Sequence, residues 1–345
     1  MFKNLMIYRI GPDWPTSAES LEAALAAEPF AECSATQQRS TGWVPPRGED
    51  HGALVEVVDG QWIARFVIET KSVPGDAVRR RTEEAVAEIE KTTGRKPGKK
   101  EVRDLRDDAL QALLPQAFPR RGQVTAWIDP ERRWLVLDTG AQGKADELIT
   151  SLVRVAGKGF EVRLLHTQET PQAVMAAWLA AESAEALPDA FHVERECELK
   201  GSGDEPAVVK FTRHDLATEE VRQHIAEGKL PTKLALGWQG RVGFMLTQAL
   251  QLKKITFQEG VFEEQAGAKD DDRFDADVAL ATGELGGLID DLIEALGGEA
   301  DPTAFPTPPS GDAAVATTTP TTTPITAGGH VASGATAAPD DDPPF

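Results

Sequence analysis

DAVRRRTEEAVAEIEKTTGRKPGKKEVRDLRDDALQALLPQAF, residues 76–118, is the stretch from which the fold of this chain can be read. Over Asp76–Thr93 the apolar residues Val78, Ala85 and Ile89 keep to one side of a helical period, while Arg79, Arg80 and Arg81 stand largely off it. Lys96-Pro97-Gly98 interrupts the pattern, because proline cannot continue a helix and glycine tolerates the turn. Val102, Leu105, Ala109 and Leu113 then resume it until Pro115. The reading is two helices joined by a short break, ending in Leu113-Leu114-Pro115-Gln116-Ala117-Phe118. Strand-like segments on either side, Gln61–Glu69 and Gln123–Ile128, make this a hairpin projecting from a sheet.

Outward from the hairpin, strands and helices alternate without a regular repeat. Phe2–Ile10 reads as a strand, and Thr16 with Glu19 has the spacing of a capping box ahead of Leu21, Ala24 and Leu25. Gly42-Trp43-Val44-Pro45-Pro46 reads as a rigid turn. Gln123–Ile128 and Trp134–Asp138 form a β-hairpin across Asp129-Pro130-Glu131-Arg132. Helix Lys144–Val155, strand Phe160–His166, helix Pro171–Ala181 and strands Phe191–Leu199 and Val208–Thr212 follow. Thr218–Glu227 is a helix closed by Gly228. Strands around Leu234–Trp238, Val242–Leu246 and Leu252–Phe257 precede an amphipathic helix, Leu285–Leu296, stopped by Gly297-Gly298. The fold class is α+β, with mixed or antiparallel sheets in a multi-lobed subunit. Residues 1–75 and 122–170 form a central α+β region, 76–121 the helical tip, and 171–300 a second α+β lobe with a C-terminal helix. Residues 301–345 are dominated by Pro, Thr, Ala and Gly and are expected to be a disordered tail.

Charge is distributed unevenly. The formal net charge is −20, yet residues 263–345 hold 17 acidic and 2 basic side chains, which leaves a nearly neutral body. Within that body, 71–121 holds 13 basic residues against 9 acidic. Net charge describes the average field, so an acidic chain can still present cations where phosphates arrive. Candidates for phosphate contact are Arg79, Arg80, Arg81, Lys91, Arg95, Lys96, Lys99, Lys100, Arg103, Arg120 and Arg121. A second basic set is Lys210, Arg213, Lys229, Lys233, Arg241, Lys253 and Lys254. Glu84, Glu88, Glu90 and Asp107 are interleaved with the first set, so the same pattern also describes a solvated hairpin laced with ion pairs.

Catalytic and metal-binding signatures are sparse. The histidines, at 51, 166, 192, 214, 224 and 330, have no ligand spacing, and Cys33 and Cys197 form no CxxC pair, so both cysteines read as small core residues of a reducing compartment. Gly94-Arg95-Lys96-Pro97-Gly98-Lys99-Lys100 is one residue short of a phosphate-binding loop, lacks its final Ser/Thr and follows a helix, which rules that reading out. Asp270, Asp271, Asp272, Asp275 and Asp277 could hold Mg²⁺ for a nuclease, but consecutive aspartates also suit a solvated turn or helix start. No apolar run has the length of a membrane span, and the N-terminus has no signal-peptide core. No enzyme activity, cofactor or membrane partner is expected.

The order of several local signatures resembles the bacterial recombination-associated RdgC family. They are Phe2-Lys3-Asn4-Leu5 with Tyr8-Arg9, then Gly42-Trp43-Val44-Pro45-Pro46, Leu113-Leu114-Pro115 through Ala117-Phe118, and Trp127-Ile128-Asp129. Thr232-Lys233-Leu234-Ala235-Leu236 follows with Trp238 and Arg241, then Arg273-Phe274-Asp275-Ala276-Asp277, Thr282-Gly283-Glu284-Leu285 and Leu296-Gly297-Gly298-Glu299-Ala300. Their colinear order across 1–300 carries the resemblance. It implies a horseshoe-like subunit that pairs with a second copy into a closed ring around duplex DNA, binding with little sequence preference and restraining RecA-type strand exchange. It also implies a cytoplasmic, nucleoid-associated protein. Carried over, Phe118 becomes a ring-closure residue at the homodimer interface, and Arg213, His214 and Lys229 fall on the surface facing the hole. The DNA-contact set is then Arg79, Arg80, Arg81, Lys96, Lys99, Lys100, Arg120, Arg121, Arg213, His214, Lys229 and Lys233.

The chain closes on Asp340-Asp341-Asp342-Pro343-Pro344-Phe345, which is similar to the acidic tip of bacterial single-stranded DNA-binding proteins. Such a tip places Phe345 in an apolar pocket while Asp340, Asp341 and Asp342, with Pro344 bending the chain, line a basic rim. The resemblance implies proteins that bind that tip as further partners. It leaves a second reading open, a non-enzymatic adaptor that controls recombination or repair through this tip.

Overall fold

The computed structural model describes residues 2–301 apart from 13, 15–16, 50, 158, 182–186, 204–205 and 259–269, and of 270–272 the backbone alone. The expectations for the tail, with Asp340, Asp341, Asp342, Pro344 and Phe345, therefore lie outside the described residues. Among the described residues there are twelve strands: β1 (Leu5–Ile10), β2 (Arg39–Val44), β3 (Val55–Val58), β4 (Gln61–Lys71), β5 (Pro119–Asp129), β6 (Trp134–Asp138), β7 (Val162–Leu164), β8 (Phe191–Lys200), β9 (Val208–Thr212), β10 (Leu230–Trp238), β11 (Val242–Thr247) and β12 (Leu252–Phe257). The helices are α1 (Ala18–Leu25), α2 (Gly75–Thr93), α3 (Lys99–Leu113), α4 (Gln142–Ala156), α5 (Pro171–Ala180), α6 (Glu219–Ala226) and α7 (Asp270–Ala295).

All twelve strands belong to one sheet, ordered β2-β4-β5-β6-β1-β12-β11-β10-β8-β9, with β3 beside β4 and β7 beside β1. The expected α+β class holds, but one continuous antiparallel sheet replaces the several mixed or antiparallel sheets read from sequence. The join is β1, which pairs with β6 and, at Leu5↔Leu252, with β12. Every residue of β1 is buried, which is what a strand covered on both faces requires.

Side-chain alternation sorts the core into two layers. Met6, Tyr8, Phe66, Ile68, Val124, Ile128, Leu135 and Leu137 point to one face, under α1 and α4 (Leu21, Leu25, Leu148, Leu152). Leu5, Ile7, Ile63, Trp127, Trp134 and Val136 point to the other and join a second layer built on β8–β12, α5, α6 and α7. In α7, Val278, Ala281, Leu285, Leu288, Ile289 and Leu292 form the buried stripe. Gly287 lies where a Cβ would meet the Trp238 indole at 3.4 Å, so the helix seats closely on that ring.

Several elements differ from the sequence reading. Ser17, not Thr16, caps α1 by accepting from the Ser20 amide, and Thr16 is outside the described residues. Gly42-Trp43-Val44 is strand β2 rather than a turn. A Cβ on Gly42 would stand 2.4 Å from the Phe30 Cα, and the Phe30 amide bonds the Trp43 carbonyl at 2.9 Å. The glycine thus permits a close backbone approach that local sequence does not announce. Helix α7 begins at Asp270 instead of Leu285, continuing through Gly283, Gly286 and Gly287 because its buried stripe outweighs their low helix propensity.

The helical hairpin stands where expected, inserted between β4 and β5 at the pair Lys71↔Pro119. Gly94, at φ 71°, ends α2 with its amide on the Glu90 carbonyl, and α3 starts after Gly98. Val78, Thr82 and Ala109 are buried, whereas Val86, Ile89, Val102 and Leu105 are half-buried. The two helices alone do not cover their apolar stripe.

Candidate nucleic-acid interface

On the hairpin the expected cations divide by whether a carboxylate answers them. Arg79 reaches Asp76 at 3.0 Å and Glu83 at 4.0 Å, Arg81 reaches Glu84 at 3.3 Å, and Lys96 reaches Glu90 at 4.0 Å. Arg95 holds Glu101 with both terminal nitrogens, at 2.9 and 3.2 Å. All these pairs are solvent-exposed and each contributes little to stability. Arg80, Lys91, Lys99, Lys100 and Arg103 are exposed with no acidic partner among the described residues, so their charge is uncompensated.

At the base of the hairpin, where β5 begins, Arg120 is exposed and unpaired as well. Arg121 is engaged differently. Its Nε donates to Glu69 at 2.5 Å, its Nη2 bonds Glu32, and its guanidinium lies over the Phe30 ring at 5.3 Å. The Arg121 hydrogen bond, with the Cys33 amide bond behind it, holds the buried Glu69 carboxyl below its usual range. Arg121 therefore anchors the β4–β5 ladder, a role that residue type alone could not separate from phosphate contact. Phe118 follows the 3-10 turn Leu114–Gln116 and is 88% exposed. It sits beside Lys71↔Pro119, at the hairpin's base rather than at its Gly94–Gly98 end.

The second basic set divides: Lys210, Lys233 and Lys254 lie on the face of β8–β12 away from α5–α7, whereas Arg241 is held by Glu284 of α7, its Nε donating at 2.8 Å. Lys233 (3.0 Å) and Lys210 (3.1 Å) both bind Glu198, which also accepts from the Thr232 hydroxyl at 2.8 Å. The Thr232 hydrogen bond, reinforced by the two lysines, lowers the Glu198 carboxyl to about 2. Lys229 is drawn inward at the end of α6, on Glu227 at 2.6 Å and His224 Nδ1 at 3.0 Å. His214 packs on Phe211, ring centroids 5.3 Å apart, and its amide donates to the Arg195 carbonyl at 3.1 Å. Arg213, at φ 56°, is exposed and unpaired.

Sequence reasoning missed Arg195. It lies inside β8, where Glu194–Glu196 bulge outward: Val193 pairs with Leu236 and Cys197 with Leu234, leaving three residues of β8 against Ala235. The bulge lifts Arg195 to the surface beside Arg213. A polar strand reading Glu-Arg-Glu gives no sign of it, because a bulge is decided by pairing.

Asp275 bonds Arg47 at 2.5 Å and Asp277 lies 4.0 Å from Arg273, so both are held in ion pairs. Among the described residues no group of three or more His, Cys, Asp or Glu could hold a metal ion. Burial pushes the Cys197 thiol up to about 12, so it is a core residue and not a nucleophile. No helix among the described residues is long and apolar enough to cross a membrane.

Comparison with known proteins gives a consistent result. Residues 1–299 match the family described as "Putative exonuclease, RdgC". The chain is 39% identical over 303 residues to a protein of Dechloromonas aromatica named recombination-associated protein RdgC, covering 86% of this chain and 98% of that one. Proteins of the same name from Herminiimonas arsenicoxydans and Bordetella pertussis are 40% and 35% identical over 300 residues, again covering 86% of this chain and 98% of each relative.

Proposed function

The chain belongs to the RdgC family, and on that premise we propose that it is a recombination-associated protein that binds duplex DNA without reading its sequence. The observation that carries this reading is the set of exposed cations left without carboxylate partners among the described residues: Arg80, Lys91, Lys99, Lys100, Arg103 and Arg120 around the hairpin, and Arg195 and Arg213 on the sheet. In a chain of net charge −20 these cations set up a local positive field that a polyanion can meet. Lysine and arginine on surface helices contact phosphates through counterion release and need no base register.

Two copies close a ring through the hairpin segment 76–121. Support for this comes from Phe118, whose ring stands in solvent, and from the half-covered apolar stripe of α2 and α3. A ring grips by topology, which gives long residence on nucleoid DNA at modest affinity. A duplex so enclosed is a poor partner for RecA-type strand exchange, and that is the proposed link to recombination. The family description also names an exonuclease; our reading needs no cleavage step. Labelled duplex incubated with Mg²⁺ or Mn²⁺ should stay intact, and a cleaved product would replace it with a hydrolytic one.

The deciding experiment compares nicked circular and short linear duplex bound to the full chain as salt is raised. The circle should persist where the linear form is released, and Phe118→Ala should abolish that difference while lowering solution mass from dimer to monomer. Equal release of both forms by the unaltered protein would defeat the ring.

A further inference from the structure

The exposed face of β8, β10, β11 and β12 forms a trough of about 670 Å³, within the range of roughly 300–1,000 Å³ typical of small-ligand sites. Its floor is shallow-side-chained and apolar. On this face Ala235 pairs with the buried Met245, and Gly237 pairs with Gly243, so Ala235 and the two glycines leave the floor low. The His192 ring fills the space above Gly237, where a Cβ would lie 2.1 Å from it, and Gly243 is flanked by Thr256, whose Oγ1 a Cβ would meet at 3.0 Å.

Three cations stand at the rim, and a backbone irregularity places each. Arg195 rides the β8 bulge. Lys254 has φ 54° in a second irregularity, between Gly243↔Thr256 and Met245↔Lys253, and its amide reaches Asn4 Oδ1 at 3.4 Å. Arg213 has φ 56° just after β9. Positive φ at a non-glycine residue is strained and concentrates where a side chain must be aimed. Of the two acids at the rim, Glu196 is neutralised by Lys254 at 2.8 Å, and Glu194 contacts His192 at 3.1 Å. Arg195 and Arg213 are left with no acidic partner among the described residues.

We infer that this trough holds one unstacked nucleotide of a DNA strand, its base over Ala235, Gly243 and Met245 and its flanking phosphates on Arg195 and Arg213. The inference rests on the DNA-binding reading above and adds a subsite for unpaired bases. Charge complementarity selects the occupant: two free guanidiniums match two phosphates, and the low, largely apolar floor between them matches a flat base. Thr212 and Gln258 supply unengaged hydrogen-bonding groups at the base edge, while the Thr256 hydroxyl beside them already donates to the Gly243 carbonyl at 3.3 Å.

The test uses fluorescence anisotropy of the full chain with three labelled probes at one salt concentration: a ten-residue oligothymidylate, an abasic backbone of equal length and charge, and a duplex. The oligothymidylate should bind about tenfold tighter than the abasic strand, as expected for a base seated on a protein surface. Ala235→Leu fills the trough without touching a charge; it should erase that gap while duplex affinity stays within about twofold. Arg195→Ala, at an exposed side chain, removes a phosphate contact that both single strands make, so it should weaken both by a similar factor and leave the gap between them, while the retained duplex affinity of Ala235→Leu guards against misfolding of that variant. Equal binding of the two single strands by the unaltered chain, a gap that survives Ala235→Leu, or single-strand binding unchanged by Arg195→Ala overturns the inference. A base-dependent gap without duplex binding would sink the duplex-ring reading and leave the trough standing.

Discussion

Two residues show how local chemistry and tertiary context share control of this molecule. Glu198 is ionised down to a pKa of about 2 against an ordinary 4.5, because Thr232, Lys233 and Lys210 all favour its charged form. A carboxyl lowered on folding stabilises the native state above its unfolded pKa, and that contribution drains away as pH falls from 4.5 toward 2. Glu198→Gln should therefore cost about 1–2 kcal/mol at pH 7 and flatten the loss of stability between pH 4.5 and 2, as read by urea unfolding at stepped pH. Gly42 is constrained by backbone alone, since any Cβ meets Phe30 Cα at 2.4 Å. Gly42→Ala should cost about 3 kcal/mol, seen as a lower urea midpoint with an unchanged slope. The first effect is legible only with three partners in view. The second gives Gly42-Trp43-Val44 its physical meaning: a strand glycine against a neighbouring segment, not a turn residue.

At the scale of elements, the hairpin was the most legible part of the chain. Its period of apolar residues, the break at Lys96-Pro97-Gly98 and the glycine caps are all local, and α2 and α3 fall where these signals put them. What the pattern did not separate was which of its cations are free. Lys99 and Lys100 are unpaired, so Lys99→Ala and Lys100→Ala should each lower the slope of log affinity against log salt by about 1 for duplex DNA. Arg121 belongs to the opposite class, because it neutralises the buried Glu69. Arg121→Ala should instead lower stability and leave the salt slope unchanged, since the Glu69 carboxylate would lose its partner. Equilibrium unfolding and salt titration of the same variants distinguish the two roles.

For the whole molecule, acidic charge is concentrated late in the chain, with 17 acidic residues in 263–345, of which 13 lie at or before Asp301. A chain shortened to residue 301 keeps every element described above and loses Asp312, Asp340, Asp341 and Asp342. It should bind duplex DNA at least as tightly as the full chain in the same salt, and weaker binding would mean that the tail takes part in the contact. The sequence by itself determined the α+β class, the hairpin, most strand positions and the stripe of α7 from Leu285 onward, because each rests on periodicity among near neighbours. Only the tertiary structure decided that the strands join into one sheet through β1, that the acidic run from Asp270 is helical, and that Arg195, Arg213 and Lys254 surround one trough. Those outcomes depend on pairing register between residues tens to hundreds of positions apart, and register is fixed by which faces become buried together rather than by any short stretch of chain.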